Sequence, residues 1–438
     1  AAREAAGSGG ARAVGAGSGR RGLMPAQLQR TRALLILGTR PEVIKLAPVV
    51  RALEDRAAEF ETRVVTTGQH DELFDTAAAS FGLRVDVDLG IMQPNQDLFH
   101  VGSAALQQLR GEVLAYRPDI VLVQGDTASA CFGALAGFFV RAVVGHVEAG
   151  LRSGTKWAPY PEEIFRRLAD VVSDLHFVPT PAGRDNLLRE GCSPRQIHVT
   201  GNTVVDAVLS IARRDLAVTP PPVRAALAAG RPTVLITVHR RESFGDALRG
   251  LFRAIGRLAD CHPDIAFVYP VHPNPNVSRP AHELLGGRAN VCLVEPLGYA
   301  DLVATMQRSM LVLTDSGGLQ EEAPSLGVPV LVLREVTERP EGIVAGVARL
   351  VGTDEQRVFL EANRLLCDPA ARAAFTTVPN PYGDGRAAER IVDIIAGELR
   401  GTPRRTDDWA PQSLPGRRTQ RRRINRLAPD AAPHAEPS

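Results

Sequence analysis

Short runs of apolar, often β-branched residues alternate along the chain with longer segments whose apolar positions recur at helical spacing. This alternation is typical of βαβ units and parallel sheets. Twelve such runs fall into two sets of six, separated by a connector that contains the proline run 220–222. The predicted strands are 33–38, 63–67, 119–124, 142–147, 174–178, 197–200, 233–238, 265–270, 290–294, 310–313, 328–333 and 348–351. The pattern therefore predicts an α/β protein with two Rossmann-like domains that face each other across a cleft.

These sets also give the predicted domain limits. We expect a disordered N-terminal extension at 1–32, a first domain at 33–205 and a second domain at 206–380. A last amphipathic helix is predicted within 381–400, and a disordered, arginine-rich tail is predicted at 401–438. The two ends carry too little apolar surface to offset the entropy of ordering them, about 1–2 kcal/mol per residue for the backbone.

Composition excludes several classes of function. The formal net charge of +2 argues against a nucleic-acid partner, and no apolar run approaches the roughly 18–20 residues of a membrane span. The N-terminal segment lacks the apolar core of a secretory signal. The five cysteines are scattered, without the spacing of metal ligands, and most lie in apolar runs. We therefore expect reduced core cysteines in a cytoplasmic protein without a metal.

The segment 314–342 carries the most specific pattern in the chain. A buried strand is predicted to end in small residues and to lead directly into a helix with paired Glu321 and Glu322. Free backbone N–H groups and the helix dipole at such a helix start bind phosphate. The next strand delivers further polar side chains to the same edge of the sheet. The predicted ligands of a sugar nucleotide are Ser316, Gly317 and Gly318 for the diphosphate, Glu322 for ribose hydroxyls, and Arg339.

The same segment reads TDSGGLQEEAPSLGVPVLVLREVTERPEG and closely resembles the signature of the bacterial non-hydrolysing UDP-N-acetylglucosamine 2-epimerases. Further motifs follow the order found in that family, and together they cover roughly 34–385. They are GTRPEVIKLAPVV, TGQH, QGDT, HVEAGLRS, PEE, GNTVVDA, TVHRRES and YPVHPNPNV. The resemblance implies the GT-B architecture, a C-terminal helix that crosses back to the first domain, and a homodimer.

The resemblance also implies a reaction. Family members interconvert UDP-GlcNAc and UDP-ManNAc by eliminating UDP to give 2-acetamidoglucal and then adding UDP back, without a cofactor. The product serves the synthesis of cell-surface polysaccharides. Three alternatives stay open: a hydrolysing relative that releases ManNAc and UDP, a GT-B glycosyltransferase, and a nucleotide-sugar sensor. Retention of the acidic residues argues against the sensor, and a transferase would need an acceptor pocket in place of acids around C2.

Three carboxylates of the first domain are candidates for proton transfer. Asp126 and Glu148 each follow a predicted strand, and Glu162 begins a predicted helix after Pro161. Such positions can converge on one cleft, where crowding raises carboxylate pKa values. Spacing alone equally allows helix caps for Asp126 and Glu162 and a salt bridge in a loop for Glu148. The resemblance assigns all three as catalytic acids, with Asp126 and Glu148 near C2 and Glu162 as their partner.

Cations and a histidine complete the predicted site. Arg40 and Lys45, which follow the first strand, are expected to meet the diphosphate from the wall opposite Ser316. Lys45 is one of only two lysines in a chain whose basic residues are otherwise arginine. His239 follows a strand, and the resemblance implies that it contacts the β-phosphate and assists the departure of UDP. A histidine in a turn or in the core is the alternative, and His272 is expected near the same cleft.

Two positions depart from the family pattern. Phe165 stands where relatives carry asparagine two residues after the PEE motif, and phenylalanine cannot offer that hydrogen bond to the surroundings of Glu162. Asp71 stands where relatives often carry arginine after TGQH. Some relatives bind a second UDP-GlcNAc as an activator near that position, so the change puts this regulation in doubt here.

Overall fold

The computed structural model describes residues 29–68, 72–91, 96–214 and 216–411. The predicted disorder of 1–28 and 412–438 and the departure at Asp71 lie outside the described residues.

Two fully parallel sheets form the framework of the described chain. The first has seven strands in the order β3-β2-β1-β4-β5-β6-β7, and the second has six in the order β10-β9-β8-β11-β12-β13. The strands of the first sheet are β1 (Thr31–Leu37), β2 (Phe60–Thr66), β3 (Val87–Asp88), β4 (Ile120–Gln124), β5 (Val143–Val147), β6 (Leu175–Val178) and β7 (Ile197–Val199). Those of the second are β8 (Thr233–Thr237), β9 (Ala266–Pro270), β10 (Val291–Val294), β11 (Ser309–Thr314), β12 (Val330–Val332) and β13 (Ala348–Leu350).

Helices connect successive strands and cover both faces of each sheet. The first nine are α1 (Arg40–Glu54), α2 (Glu72–Phe81), α3 (Leu98–Tyr116), α4 (Ala128–Phe139), α5 (Glu162–Val172), α6 (Pro181–Arg189), α7 (Thr203–Ala212), α8 (Pro221–Ala228) and α9 (Asp246–Cys261). The others are α10 (Pro275–Leu285), α11 (Tyr299–Gln307), α12 (Gly317–Ser325), α13 (Pro340–Ala345), α14 (Glu355–Cys367), α15 (Pro369–Thr376) and α16 (Ala387–Arg400). Because helices shield both faces, the central strands β4 and β11 are almost continuously buried and apolar.

All twelve predicted strands are present, and two Rossmann-like domains of parallel strands are confirmed. The additional strand β3 has only two residues, which is too short to produce a period in the sequence. It pairs with Val65 and Thr66 at the edge of the first sheet. The predicted domain boundary at residue 205 falls inside α7, a helix that contacts α1 on one side and α11 and α12 on another.

The end of the described chain returns to the first sheet. Helix α16 packs against α1 and α7, as the resemblance implied. Residues 401–411, predicted to be disordered, instead form an ordered strap. Asp393 of α16 accepts hydrogen bonds from the backbone of Arg405 and Thr406, and the backbone N–H of Trp409 donates to the carbonyl of Val199 at 2.6 Å. The prediction missed this because the strap has no periodic pattern and is anchored by only a few residues.

The cysteines are all free, as expected, but not all lie in the core. Cys131 is buried, whereas Cys261 and Cys367 are exposed at the ends of α9 and α14. Cys367 follows Leu365 and Leu366, and Cys261 lies three residues after Leu258, so both resemble core positions in the sequence. Among the described residues, no helix is long and apolar enough to cross a membrane.

Candidate functional site

The carboxyl ends of the two sheets face each other, and their loops build the candidate site. Gly38, between β1 and α1, allows close packing there, because a Cβ at this position would lie 2.0 Å from the Ser129 hydroxyl. Glu148, directly after β5, has a positive φ of 66°. This left-handed conformation is unfavourable for a non-glycine residue, and strain of this kind concentrates at functional sites.

Glu148 is the most heavily bonded of the three candidate acids. Lys45 donates to its two carboxylate oxygens at 2.6 and 2.7 Å, and the Gln124 side chain donates at 2.5 Å. Burial disfavours the charged carboxylate, but the charges of Lys45 and Arg339 outweigh burial and lower the pKa of Glu148. The same attraction outweighs burial at Lys45, whose pKa is raised. The predicted diphosphate ligand Lys45 is therefore an ion-pair partner of a predicted catalytic acid.

A second layer of bonds connects Glu148 to the opposite domain. The Asn202 amide donates to Glu148 at 3.2 Å and to Glu321 of α12 at 3.0 Å. The Arg339 guanidinium also donates to Glu321 and lies 3.8 Å from Glu148. All of these groups are largely buried, so the two domains meet through a network of charges and amides.

Glu322 lies beside this network and is buried, with one carboxylate oxygen that has no partner among the described residues. Burial and the neighbouring Glu321 raise the pKa of Glu322 to about 7, against the opposing charges of Lys45 and Arg40. A buried carboxyl with a free oxygen is suited to a hydrogen bond with a ligand hydroxyl, as the sequence predicted for ribose.

The other two acids, Asp126 and Glu162, line a cavity of 310 Å³ in the first domain. Arg166 of α5 forms an ion pair with Asp126 and donates to Glu163 at 3.0 Å. Neither acid caps a helix, since Thr127 caps α4 and Pro161 stands before α5. One oxygen of Glu162 is buried without a partner among the described residues.

Phe165 forms part of the wall of this cavity. Its ring packs against Phe132 with centroids 5.8 Å apart and an interplanar angle of 64°, an edge-to-face arrangement. The other apolar side chains of the cavity wall are Ile91, Leu98, Val101, Ala105, Ala128 and Pro161. The departure from asparagine therefore makes this wall more apolar.

His239 stands at the carboxyl end of the second sheet. Its Nδ1 lies 3.3 Å from the buried Asp315 carboxylate, and its ring stacks on His272 at 5.6 Å between centroids. Burial lowers the pKa of His239 and the charge of His272 adds to this effect, although Asp315 acts in the opposite direction. The side chain is 38% exposed, so the alternative of a core histidine does not apply.

The remaining predicted ligands lie at this same edge. Ser316 is the residue before α12, and Gly317 and Gly318 form its first turn. A Cβ on Gly317 would lie 3.8 Å from Arg240, and one on Gly318 would lie 3.6 Å from Glu322. Arg40 lies at the start of α1, where its charge contributes to the lowered pKa of His239 and opposes the raised pKa of Glu322. The predicted phosphate-binding turn and cations thus lie together.

Sequence reasoning left out several side chains of the site. Their motifs were recognised, but no role was given to these residues, because their functions depend on contacts across the fold. The residues are Gln124, Arg166, Asn202, Asp315 and Glu321. The sequence offered one local signal for these residues, the adjacent pair Glu321 and Glu322, but only Glu322 was given a role.

Comparison with known proteins agrees with this geometry. Residues 51–396 match the family profile described as UDP-N-acetylglucosamine 2-epimerase. The UDP-N-acetylglucosamine 2-epimerase of Escherichia coli K12 is 46% identical over 371 residues, which cover 83% of this chain and 98% of the E. coli protein. The chain belongs to the UDP-N-acetylglucosamine 2-epimerase family.

Solved structures of the family agree in fold. The UDP-GlcNAc 2-epimerase from Neisseria meningitidis, bound to UDP-GlcNAc, is 40% identical with a TM-score of 0.77, covering 83% of this chain and 99% of its own. S. aureus MnaA, solved with UDP, is 39% identical with a TM-score of 0.79, covering 87% of this chain and 100% of its own. The GT-B-like arrangement predicted for this family member is thereby confirmed.

Proposed function

We propose that this chain is a non-hydrolysing UDP-GlcNAc 2-epimerase. The observation that carries the proposal is the placement of Glu148. This buried carboxylate follows a strand of the first sheet, lies 3.8 Å from Arg339 of the second domain, and shares the Asn202 amide with Glu321 of α12. A helix start that binds diphosphate would hold UDP close to that acid, and matched relatives have been solved with UDP-GlcNAc or UDP.

In the proposed reaction, a carboxylate removes the C2 proton while the C1–O bond to UDP breaks, which gives 2-acetamidoglucal and UDP. A proton then returns to C2 from the opposite face, and a UDP oxygen attacks C1. We assign the two C2 proton transfers to Asp126 and Glu148, with Glu162 as their partner. General acid–base catalysis of this kind contributes about 10²–10⁴-fold to the rate.

The second domain and the first turn of α1 would hold the leaving group. We assign the diphosphate to Ser316, Gly317, Gly318, Arg40, Lys45 and Arg339, and the ribose to Glu322. His239 would contact the β-phosphate, whose negative charge favours the protonated ring and so assists the departure of UDP. Lys45 and Arg339 would then divide their charge between the diphosphate and Glu148.

The test is to incubate UDP-GlcNAc with the protein in D₂O and to identify the products by NMR. We expect UDP-ManNAc, with deuterium at C2 of the recovered UDP-GlcNAc, because the proton passes through an exchangeable carboxyl. Free ManNAc with UDP would instead identify a hydrolysing enzyme. Product formation without any deuterium at C2 would contradict elimination and re-addition.

We further propose a cytoplasmic homodimer that supplies UDP-ManNAc for cell-surface polysaccharides. Free, scattered cysteines are typical of a reducing compartment. Leu114 of α3 and the adjacent Phe138 and Phe139 of α4 are exposed, and they form an apolar surface suited to a second copy. Light scattering should give twice the chain mass, and the variant Phe139→Ser should shift it toward the monomer. A monomeric parent would contradict the dimer.

A further inference from the structure

His146 forms the centre of a buried polar cluster outside the groups assigned to the reaction. It lies in β5, two residues before Glu148, and its side chain is 0% exposed. Its Nδ1 is 2.7 Å from Asp170 Oδ1, and its Nε2 is 2.7 Å from the backbone oxygen of Gly125. Both ring nitrogens therefore face oxygen atoms.

This geometry fixes the protonation of the ring. The Gly125 carbonyl can only accept, so Nε2 must carry a hydrogen. Asp170 also receives the Arg152 guanidinium at 2.8 Å and the Gly150 N–H at 3.4 Å, and these donors favour its ionised form. Nδ1 must then donate as well, which makes His146 an imidazolium.

The electrostatic environment also favours the charged forms of His146 and Asp170. Burial disfavours a charge on the imidazole, but attraction to Asp170 outweighs burial and raises the pKa of His146. For Asp170, burial is likewise outweighed by His146 and Arg152, and the pKa of this carboxyl is lowered. His176 on the neighbouring strand contributes less than Arg152 to this lowering.

The ion pair connects two turns of the first domain. Gly125, whose carbonyl His146 holds, has φ +74° and directly precedes Asp126. Gly150, whose N–H Asp170 accepts, lies two residues after Glu148. One buried ion pair thus holds both the turn that carries Asp126 and the turn that carries Glu148.

Helix α5 carries the other half of this arrangement. Glu162 begins the helix, Arg166 forms an ion pair with Asp126, and Asp170 binds His146. Residues 166 and 170 are four apart and therefore share one face of the helix. This face contacts both turns, so one rigid element is connected to all three candidate acids.

We propose that His146, held as an imidazolium by Asp170, is a positioning residue that sets the Asp126 turn relative to the Glu148 turn. This inference rests on the proposed function, since it assumes that these two acids act on the same C2 atom. A misplacement of reacting groups by 1 Å can cost about 10²-fold in rate. His146 itself is too deeply buried to contact a substrate.

The test compares His146→Gln with His176→Gln. The two histidines are directly paired on adjacent strands and are similarly buried, but His176 bonds to the backbone oxygens of Asp170 and Gln196. Glutamine at 146 can still donate to Gly125, but it cannot carry the charge that Asp170 requires. We expect kcat of His146→Gln to fall by about 10²-fold. UDP affinity should stay at the parent value, because within the described chain none of the assigned UDP ligands bonds to His146 or Asp170. His176→Gln should keep the parent kcat.

Equal losses of kcat in the two variants would overturn the proposal, as would a parallel loss of UDP affinity in His146→Gln. A second measurement uses the parent protein and so does not depend on whether a variant folds. ¹⁵N imidazole NMR of the parent should show both His146 nitrogens protonated at pH 8, and a neutral ring would overturn the assignment. A parent without any epimerase activity, but with this imidazolium, would instead refute the proposed function.

Discussion

Lys45 donates to both carboxylate oxygens of Glu148, at 2.6 and 2.7 Å. The two side chains are 13% and 5% exposed, so each is the principal neutralising partner of a buried charge. The sequence predicted a different role for each: phosphate binding for Lys45 and proton transfer for Glu148. In the folded chain those tasks are coupled, because any group that draws Lys45 toward a diphosphate also changes the environment of the acid.

Removing this lysine should destabilise the protein strongly. Lys45→Ala leaves Arg339 as the one cation beside the buried Glu148 among the described residues, and breaking a buried pair costs about 3–5 kcal/mol. The matched control is Lys156→Ala, which removes the only other lysine, an exposed residue over the Trp157 ring. We expect the control to lie within about 0.5 kcal/mol of the parent. Urea unfolding measures both, and similar values for the two variants would show that the ion pair contributes nothing.

Arg339→Ala tests whether the interdomain network also binds the nucleotide. UDP should raise the melting temperature of the parent, because UDP binds the folded form. Arg339→Ala should lower the melting temperature without UDP and also reduce the gain with UDP, since it removes a charged contact worth about 1.5–3 kcal/mol.

The control for this experiment is Arg334→Ala. Arg334 is also buried at this edge, but it is bonded to Glu242 at 2.6 Å and Glu338 at 2.7 Å, away from Glu148. Arg334→Ala should be less stable than the parent but should show the full increase in melting temperature with UDP. A full gain in Arg339→Ala would place the diphosphate elsewhere.

Glu322 gives a prediction about pH. Its pKa is raised from 4.5 to about 7 by burial and by Glu321. The folded state therefore holds a proton that the unfolded state releases between about pH 4.5 and 7. Stability from this group is present below pH 4.5 and is lost as pH rises to 7, by about 1.4 kcal/mol per unit of pKa difference.

Glu322→Gln removes this titration. Its stability relative to the parent should therefore increase as pH rises from 4.5 to 7. Urea unfolding at a series of pH values measures the difference. A constant difference between Glu322→Gln and the parent across this range would contradict the raised pKa.

The sheet framework could be predicted from sequence because each strand is buried on both faces and reads as a short apolar run. Strand β11 shows this well: the predicted 310–313 becomes Ser309–Thr314, and the turn to α12 follows at once. Strand β3 could not be predicted, since two residues have no period. Its position is set by pairing with β2.

The candidate site was predictable to the extent that its side chains lie at strand ends. Asp126, Glu148 and His239 all follow strands, as predicted. The partners of these residues could not be inferred, because Asn202 and Arg166 reach them from helices distant in sequence. The predicted disorder of 401–411 was wrong for a related reason. The strap is held by Asp393, which the sequence pattern does not distinguish from other residues of the last helix.

That correction gives a prediction about truncation. Asp393 is buried and accepts hydrogen bonds from the Arg405 N–H at 2.6 Å, the Thr406 N–H at 2.8 Å and the Thr406 hydroxyl at 3.0 Å. Asp393 also forms an ion pair with Arg56, whose guanidinium lies 3.7 Å away. The strap is completed by Trp409, which packs beside the Arg390 guanidinium and donates to Val199.

A chain that ends at Arg400 would therefore lose these three donors to the Asp393 carboxylate. An unsatisfied buried acceptor costs about 1–3 kcal/mol, and a charged one costs more. We expect a clear fall in melting temperature for this chain, while a chain that ends at Pro411 should match the full-length protein. Asp393→Asn in the full chain should show part of the same loss, because it keeps the shape but weakens the acceptor. If the chain ending at Arg400 melted with the full-length protein, the strap would contribute nothing to stability, and the body would end at α16.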